Sequence, residues 1–201
     1  MPLVLNRETD GDRLLLWRIT ETPDELLPLA ELNDRERKYL DGLNTAKRAA
    51  EWLTVRAMAW GNFGKYIGYR QDGQPFFEDS PLHISISHTD GYAALMVSGE
   101  PCGADMERLD RRADKLLRKF ATDQECESAK EAFPQNPATL IWSAKESLYK
   151  LGRKPGAEFR TELILKSISE AAIRAEVCGR KAQVSYSVFE GILITEAKYE
   201  K

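Results

Sequence analysis

Residues 83–108 read HISISHTDGYAALMVSGEPCGADMER and predict three β-strands in close succession. The segments HISISH and YAALMVS flank an Asp-Gly step at Asp90 and Gly91, and such a step between two apolar runs is typical of a tight hairpin turn. The segment GADMER follows after a short break and predicts a third strand. This stretch therefore predicts antiparallel sheet structure in the middle of the chain.

Helical patterns lie on both sides of these strands. Upstream, Asn33 and Asn44 are the predicted N-caps of two helices. The second helix carries apolar residues at helical spacing, which predicts a buried stripe: Ala46, Ala49, Leu53, Ala57 and Trp60. Downstream, residues 108–151 predict helices, and residues 162–200 predict further strands. Since both halves mix helices with antiparallel strands, the predicted fold class is α+β.

A short internal echo indicates that the two halves are related. The letters LNDRE precede RAAEWLTVR in the first half, and FATDQE precedes WSAKESLYK in the second. The echo covers only a few residues and needs an adjustment of loop length, so by itself it does not establish that the halves arose by duplication.

Composition predicts a globular protein of the cytoplasm. The chain has 201 residues, which suits one domain or two small halves that share a core. It shows neither a membrane-spanning apolar run nor a secretion signal. Its three cysteines form no CxxC pair and predict free thiols in a reducing compartment. A net charge of −3 argues against a dedicated nucleic-acid binder. We therefore expect neither a membrane nor a nucleic acid as a partner.

The acidic pair Asp105 and Glu107 is a candidate metal site. Residues two apart in a strand point the same way, with Ala104 and Met106 on the other face. The two Cα atoms would lie roughly 6.5–7 Å apart, so the carboxylates repel each other unless a cation binds between them. Carboxylate oxygen is the ligand that Mg²⁺ prefers. Solvated acids are also common at strand ends, and the pair alone favours that interpretation over a metal site.

A second motif, WSAKESLYK at residues 142–150, follows some way downstream. On a helix, Trp142, Glu146 and either Tyr149 or Lys150 lie on one face, and the apolar residues of the segment lie on another. Glu146 and Lys150 are four residues apart, so they also fit an ordinary helix-surface ion pair.

Taken together, GADME and WSAKESLYK resemble the paired signatures of the 4′-phosphopantetheinyl transferase superfamily, and most closely its two-half, surfactin-synthetase-activator type. The segments ISISHTDGYAALMVS, GQPFF and KFATDQE resemble further parts of that family in matching order, across about residues 30–165. The resemblance implies two pseudo-symmetric α+β halves, which we expect at residues 1–101 and 102–201. The second half would carry the metal-binding motifs, and the active site would lie between the halves.

The resemblance also implies an activity. Family members transfer the 4′-phosphopantetheine arm of coenzyme A to a serine of an acyl or peptidyl carrier protein, depend on Mg²⁺, and release adenosine 3′,5′-bisphosphate. Asp105, Glu107 and Glu146 match the family's metal ligands. Glu146 also matches the residue proposed to help deprotonate the carrier serine, and Lys150 matches a lysine that faces the diphosphate.

Further residues match positions that bind coenzyme A in the family. Ser87 and His88 match a serine and a histidine that bind the nucleotide phosphates, and Arg48 resembles an arginine that reaches the 3′-phosphate. Lys145 is either a phosphate contact or a solvated helix lysine. Gln74 replaces the lysine of the family's Gly-Lys-Pro turn, which puts the affinity for coenzyme A in doubt.

The implied partners are coenzyme A and an apo carrier protein, and a monomer is expected. A run of basic residues after the acidic pair recurs at helical spacing and is either a docking stripe for an acidic carrier or a solvated face: Arg108, Arg111, Arg112, Lys115, Arg118 and Lys119.

Two other functions stay open from the residues alone. Acidic clusters that hold Mg²⁺ also cleave phosphodiesters, so a metal-dependent phosphodiesterase is one alternative. A non-catalytic relative that binds coenzyme A or a carrier is the other.

Overall fold

A computed structural model describes residues 3–110 and 117–200, and the chain divides into two compact units, Met1–Gly99 and Glu100–Lys201. We refer to them as unit 1 and unit 2. In the described part of the chain, every helix is too short or too polar to span a membrane.

Unit 1 is an antiparallel sheet packed with helices, and its strands are ordered β1-β2-β6-β5-β4-β3. Its core is formed where α3 packs on the sheet, with Leu53 and Met58 fully buried together with Leu15 and Leu95 of the central strands. In chain order the elements are β1 (Leu3–Thr9), β2 (Asp12–Arg18), α1 (Pro23–Leu26), a 3-10 turn (Leu27–Leu29), α2 (Asp34–Asp41), α3 (Ala46–Phe63), β3 (Ile67–Tyr69), β4 (Pro75–Phe77), β5 (His83–Thr89) and β6 (Tyr92–Ser98).

Several local predictions for unit 1 are confirmed and others are corrected. Asn33 caps α2, where its side chain accepts a hydrogen bond from the backbone of Glu36 at 2.9 Å. The cap of α3 is Thr45 and not Asn44, because the Thr45 hydroxyl accepts from the backbone nitrogen of Arg48. The predicted buried stripe of α3 is confirmed in its middle, where Ala49, Leu53 and Ala57 are buried. It is wrong at both ends, where Ala46 and Trp60 are exposed.

The predicted hairpin of residues 83–98 is confirmed as β5 and β6, which pair from His83 opposite Ser98 to Thr89 opposite Tyr92. The apolar run LLLWRIT at residues 14–20 predicts the strand that is seen as β2, whereas three other strands of unit 1 were not predicted. They are β1, and the short strands β3 and β4 in a Gly-rich stretch that indicated only the end of a helix.

Unit 2 is a second antiparallel sheet packed with helices, and its strands are ordered β7-β11-β10-β9-β8. Arg111, Arg112 and Lys115 of the predicted basic stripe lie outside the described residues. In chain order the elements are β7 (Cys102–Arg108), α4 (Leu117–Phe120), α5 (Asp123–Ala132), α6 (Pro137–Gly152), β8 (Leu163–Ile168), β9 (Ile173–Val177), β10 (Arg180–Phe189) and β11 (Ile192–Tyr199).

The two units share one topology. In each, a first strand is followed by helices and then by an antiparallel meander, and the last strand returns to pair with the first. The returning hairpins are anchored alike, because Ile19 donates its backbone N–H to Gly91 at 2.8 Å and Leu109 donates to Gly191 at 3.0 Å. Unit 1 adds the edge strand β1. The predicted pseudo-symmetric α+β class is therefore confirmed.

An equivalent buried ion pair occurs in each unit. Glu36 at the start of α2 lies 3.4 Å from Arg56 of α3, and Glu125 at the start of α5 lies 2.9 Å from Lys145 of α6. Both acids also close a capping box at the third position of their helix. The acid precedes its cation by the same number of residues in both units. The sequence echo between LNDRE and FATDQE thus corresponds to a shared structural element.

Candidate functional site

The two motifs that carried the family resemblance meet where helix α6 packs on strand β7. Gly103 makes this approach possible: a Cβ atom there would clash with the carbonyl oxygen of Ser147 and lie 2.7 Å from the backbone nitrogen of Leu151. The absence of a side chain at this position lets the helix backbone lie directly on the strand. As a result, polar side chains of α6 reach the acidic pair of β7.

Asp105 is buried and is held by two side chains of α6. The Ser143 hydroxyl donates to Oδ2 of Asp105 at 3.0 Å, and the Lys150 ammonium donates to Oδ1 at 2.8 Å. Lys150 also donates to the carbonyl oxygen of Ala104 at 2.9 Å. Because a buried carboxylate needs partners for both oxygens, these contacts explain how the Asp105 side chain is tolerated at this depth.

Glu107 is buried to the same extent as Asp105, and α6 also supplies its partner. The indole N–H of Trp142 donates to Oε1 of Glu107 at 2.8 Å. The Trp142 ring is fixed by an edge contact with Phe120 and by stacking on Phe159. Both acids of the pair thus lie on the face of the sheet that contacts α6, and their two-residue spacing had predicted that they share one face.

Glu146 is half-buried on α6 and belongs to the same electrostatic environment. Burial and the negative charge of Asp105 raise its pKa to about 7, Glu107 adds to this shift, and Lys150 opposes it. The predicted helix face of Trp142, Glu146 and Lys150 is confirmed, since all three are partly exposed while Ile141, Ala144 and Leu148 are buried.

The three carboxylates fit a hard divalent cation by their chemistry. All their donor atoms are oxygens, and their mutual repulsion is the kind that a cation relieves. Within residues 3–110 and 117–200, however, no three His, Cys, Asp or Glu side chains form a ready-made metal-binding group. Asp105 and Glu107 are hydrogen-bonded to Lys150, Ser143 and Trp142 instead. The proposed ligand set stays a prediction, and binding by all three requires the carboxylates to be drawn together.

Lys145 has a different environment from the one that the motif implied. Its side chain is fully buried and its Nζ lies 2.9 Å from Oε1 of Glu125 and 2.8 Å from the carbonyl oxygen of Phe159. Burial lowers the pKa of Lys145, and Glu125 opposes that shift. Since both contacts are internal to unit 2 and the ammonium is shielded from solvent, this environment argues against a phosphate contact and indicates a structural role.

The predicted coenzyme A contacts of unit 1 lie on α3 and β5. Arg48 is exposed in the first turn of α3. His88 is exposed at the end of β5, where its Nδ1 lies 3.7 Å from a carboxylate oxygen of Glu51, one helical turn after Arg48. Ser87 is buried on the opposite face of the strand. Gln74 lies in the turn between β3 and β4, held by its backbone. The structure thus brings Arg48 and His88 to one side of unit 1 and does not group Ser87 with them.

The equivalent positions of unit 1 are apolar. Asp105 lies opposite Thr195 in the pair of β7 and β11, and Glu107 lies opposite Leu193. The strands β2 and β7 can be aligned through Ile19 and Leu109, which bond to the glycine of the hairpin in each unit. In this alignment Asp105 corresponds to Leu15 and Glu107 to Trp17, which lie opposite Leu95 and Ala93. Aligned through the shared ion pair, Glu146 corresponds to Ala57. Leu15, Trp17 and Ala57 all belong to the core of unit 1.

Sequence reasoning missed the hydrogen-bond donors that hold the acids. Trp142 and Ser143 belong to the second motif, but their spacing gave no indication of which carboxylate each would contact. Thr195 belongs to neither motif, so the sequence did not indicate that its hydroxyl would lie 2.9 Å from that of Ser143. Such contacts depend on strand register and helix packing, which the motif letters do not encode.

Comparisons with known proteins identify a family for the second half of the chain. Residues 101–197 match the family model described as the 4′-phosphopantetheinyl transferase superfamily. The chain is also similar to the 4′-phosphopantetheinyl transferase gsp of Aneurinibacillus migulanus, with 30% identity over 81 residues, which are 39% of this chain and 34% of that protein. The chain thus spans about a third of the length of the curated relative it matches.

Proposed function

Because the chain belongs to the 4′-phosphopantetheinyl transferase superfamily through residues 101–197, we propose that it transfers the 4′-phosphopantetheine arm of coenzyme A to a serine of an acyl or peptidyl carrier protein. The reaction depends on Mg²⁺ and releases adenosine 3′,5′-bisphosphate. The observation that carries the proposal is the acidic cluster of unit 2, which occupies positions that unit 1 fills with Leu15, Trp17 and Ala57.

Asp105, Glu107 and Glu146 are the residues that would hold the metal ion. When bound there, Mg²⁺ supplies positive charge that offsets the charge of the coenzyme A diphosphate. The acids themselves repel a diphosphate, so the proposal requires a cation at this place for reasons of charge alone.

The chain's own residues perform the proton and charge steps. The carrier serine oxygen forms a bond to the phosphorus that bears the pantetheine arm, and the bond from that phosphorus to the bridging oxygen of the diphosphate breaks. Glu146 accepts the serine proton, directly or through a water. Lys150 would balance charge on the departing adenosine 3′,5′-bisphosphate, and its contact with Asp105 at 2.8 Å supports this role.

The proposed contacts with the nucleotide of coenzyme A come from Arg48, Ser87 and His88. Arg48 and His88 support this role by being exposed on one side of unit 1. Lys145 is left out of the proposed site because of its buried ion pair with Glu125. The expectation that the active site lies between the halves stays a prediction.

The test is mass spectrometry of apo carrier proteins from fatty acid, polyketide and nonribosomal peptide systems after incubation with coenzyme A and Mg²⁺. We expect at least one carrier to gain the mass of one phosphopantetheine arm. Hydrolysis of coenzyme A without a mass gain would instead indicate a phosphodiesterase. Binding of coenzyme A with neither outcome would indicate a non-catalytic relative.

A further inference from the structure

Thr195 lies directly opposite Asp105 in the pair of strands β7 and β11. Opposite residues of an antiparallel pair point to the same face of the sheet, which here is the face that contacts α6. Thr195 is fully buried, so its hydroxyl must find its partners inside unit 2.

Ser143 of α6 connects Thr195 to Asp105. The Thr195 hydroxyl donates to the backbone carbonyl of Ser143 at 2.9 Å and lies 2.9 Å from the Ser143 hydroxyl. The Ser143 hydroxyl donates to Oδ2 of Asp105 at 3.0 Å. Since the Ser143 hydroxyl gives its single proton to Asp105, the single proton of Thr195 is shared between the carbonyl oxygen and the hydroxyl oxygen of Ser143, and both contacts hold Ser143 in place.

The Thr195 hydroxyl accompanies the acid and is not required by the fold. In unit 1 the counterpart of Thr195 is Leu95, which lies opposite Leu15. The counterpart of Ser143 is Thr54, whose hydroxyl donates to the carbonyl oxygen of Ala50 in its own helix at 2.8 Å. The same topology is thus built with an apolar pair of residues where unit 2 has Asp105 and Thr195.

We propose that Thr195 is a positioning residue that acts through Ser143 to orient the Asp105 carboxylate for a divalent cation, an inference that rests on the proposed function. Hydrogen bonds to a ligating carboxylate fix its orientation, and their loss typically lowers metal affinity about 10- to 100-fold. Thr195 is one hydrogen bond further from the ion than Ser143, so removal of its hydroxyl should lower metal affinity by an amount at the lower end of that range.

The experiment compares Thr195→Val, which keeps the branched shape and removes the hydroxyl, with Thr195→Ser, which keeps the hydroxyl and removes a methyl group. Mn²⁺, as a stand-in for Mg²⁺, is titrated into the full chain without coenzyme A or carrier, and free Mn²⁺ is followed by electron paramagnetic resonance. We expect the Kd for Mn²⁺ to rise about tenfold in Thr195→Val and to stay near the wild-type value in Thr195→Ser.

Melting temperatures of all variants are measured in chelator to separate positioning from packing. Ser143→Ala removes the intermediate hydroxyl, is expected to raise the Kd at least as much, and carries the test if Thr195→Val does not fold. Wild-type affinity in Thr195→Val, or equal weakening in both Thr195 variants, overturns the inference and leaves the proposed function standing. A wild-type chain that binds no Mn²⁺ overturns the inference together with the metal site, and the carrier mass assay then decides separately whether transfer occurs.

Discussion

Unit 1 and unit 2 have the same strand topology and a matching buried ion pair, yet they differ at three corresponding positions. Unit 1 has Leu15, Trp17 and Ala57, which stabilise its core through apolar burial. Unit 2 has Asp105, Glu107 and Glu146, which lose hydration and repel one another. Since unit 1 forms the same fold without them, the acids are not needed for folding and are best explained by binding and chemistry.

The largest loss of transfer activity is expected when Asp105, an acid that unit 1 lacks, is replaced by an uncharged residue. Asp105→Ala should lower the rate of arm transfer on the order of 100-fold or more, because a metal ligand is lost and several kcal/mol of transition-state stabilisation go with it. Transfer is followed by the mass of the carrier protein.

Asp110→Ala is the control for Asp105→Ala. Asp110 lies close by in the sequence but is exposed and pairs with Arg108, so its loss should leave the rate within about twofold of wild type. Wild-type transfer by a folded Asp105→Ala protein would remove Asp105 from the site.

The buried ion pair that both units share should contribute to stability and not to the transfer rate. Lys145→Met leaves the Glu125 carboxylate buried without its cation, which costs about 3–5 kcal/mol of unfolding free energy in denaturant titration. Lys154→Met, which breaks an exposed pair with Glu162, should leave the free energy of unfolding nearly unchanged.

The same Lys145→Met variant tests the assignment of Lys145. If the buried pair is structural, the KM for coenzyme A stays at the wild-type value for the folded protein. A marked rise in that KM without loss of stability would restore Lys145 as a phosphate contact.

The close contact between α6 and β7 at Gly103 should contribute to both stability and transfer. Gly103→Ala places a Cβ atom against the backbone of α6 and should cost about 1–3 kcal/mol of unfolding free energy together with a loss of transfer, since the acids and their donors move apart. Gly99→Ala is the matched control, because a Cβ atom there meets nothing within 4 Å. Unchanged stability in Gly103→Ala would show that α6 does not need this close approach.

A smaller effect is expected from the titration of Glu146. Its pKa is raised to about 7, so the folded protein binds a proton more tightly than the unfolded chain between pH 4.5 and 7, and stability falls as pH rises through that window. Glu146→Gln removes this loss. In chelator at pH 8, the variant should be more stable than wild type by about 1–2 kcal/mol after allowance for solvent screening, and the difference should vanish near pH 4.5. Equal stability at both pH values would contradict the raised pKa.

The motifs were sufficient to predict the strand β7, the helix α6, and the face of each that carries polar groups, because two-residue and four-residue spacings directly set side-chain direction. They did not predict that Trp142 contacts Glu107 while Ser143 and Lys150 contact Asp105. The motifs did not predict the buried environment of Lys145, because its partner Glu125 lies on a different helix and only packing brings them together. The strands β3 and β4 were missed because their glycines obscured a short apolar pattern.

The most direct test of the central claim is the transfer rate of Glu146→Ala, which gives position 146 the residue of its unit 1 counterpart Ala57. If the acids serve chemistry and not the fold, the rate falls on the order of 100-fold or more while the protein stays folded with a melting temperature no lower than that of wild type. A variant that transfers the arm at the wild-type rate, or one that does not fold, contradicts the account.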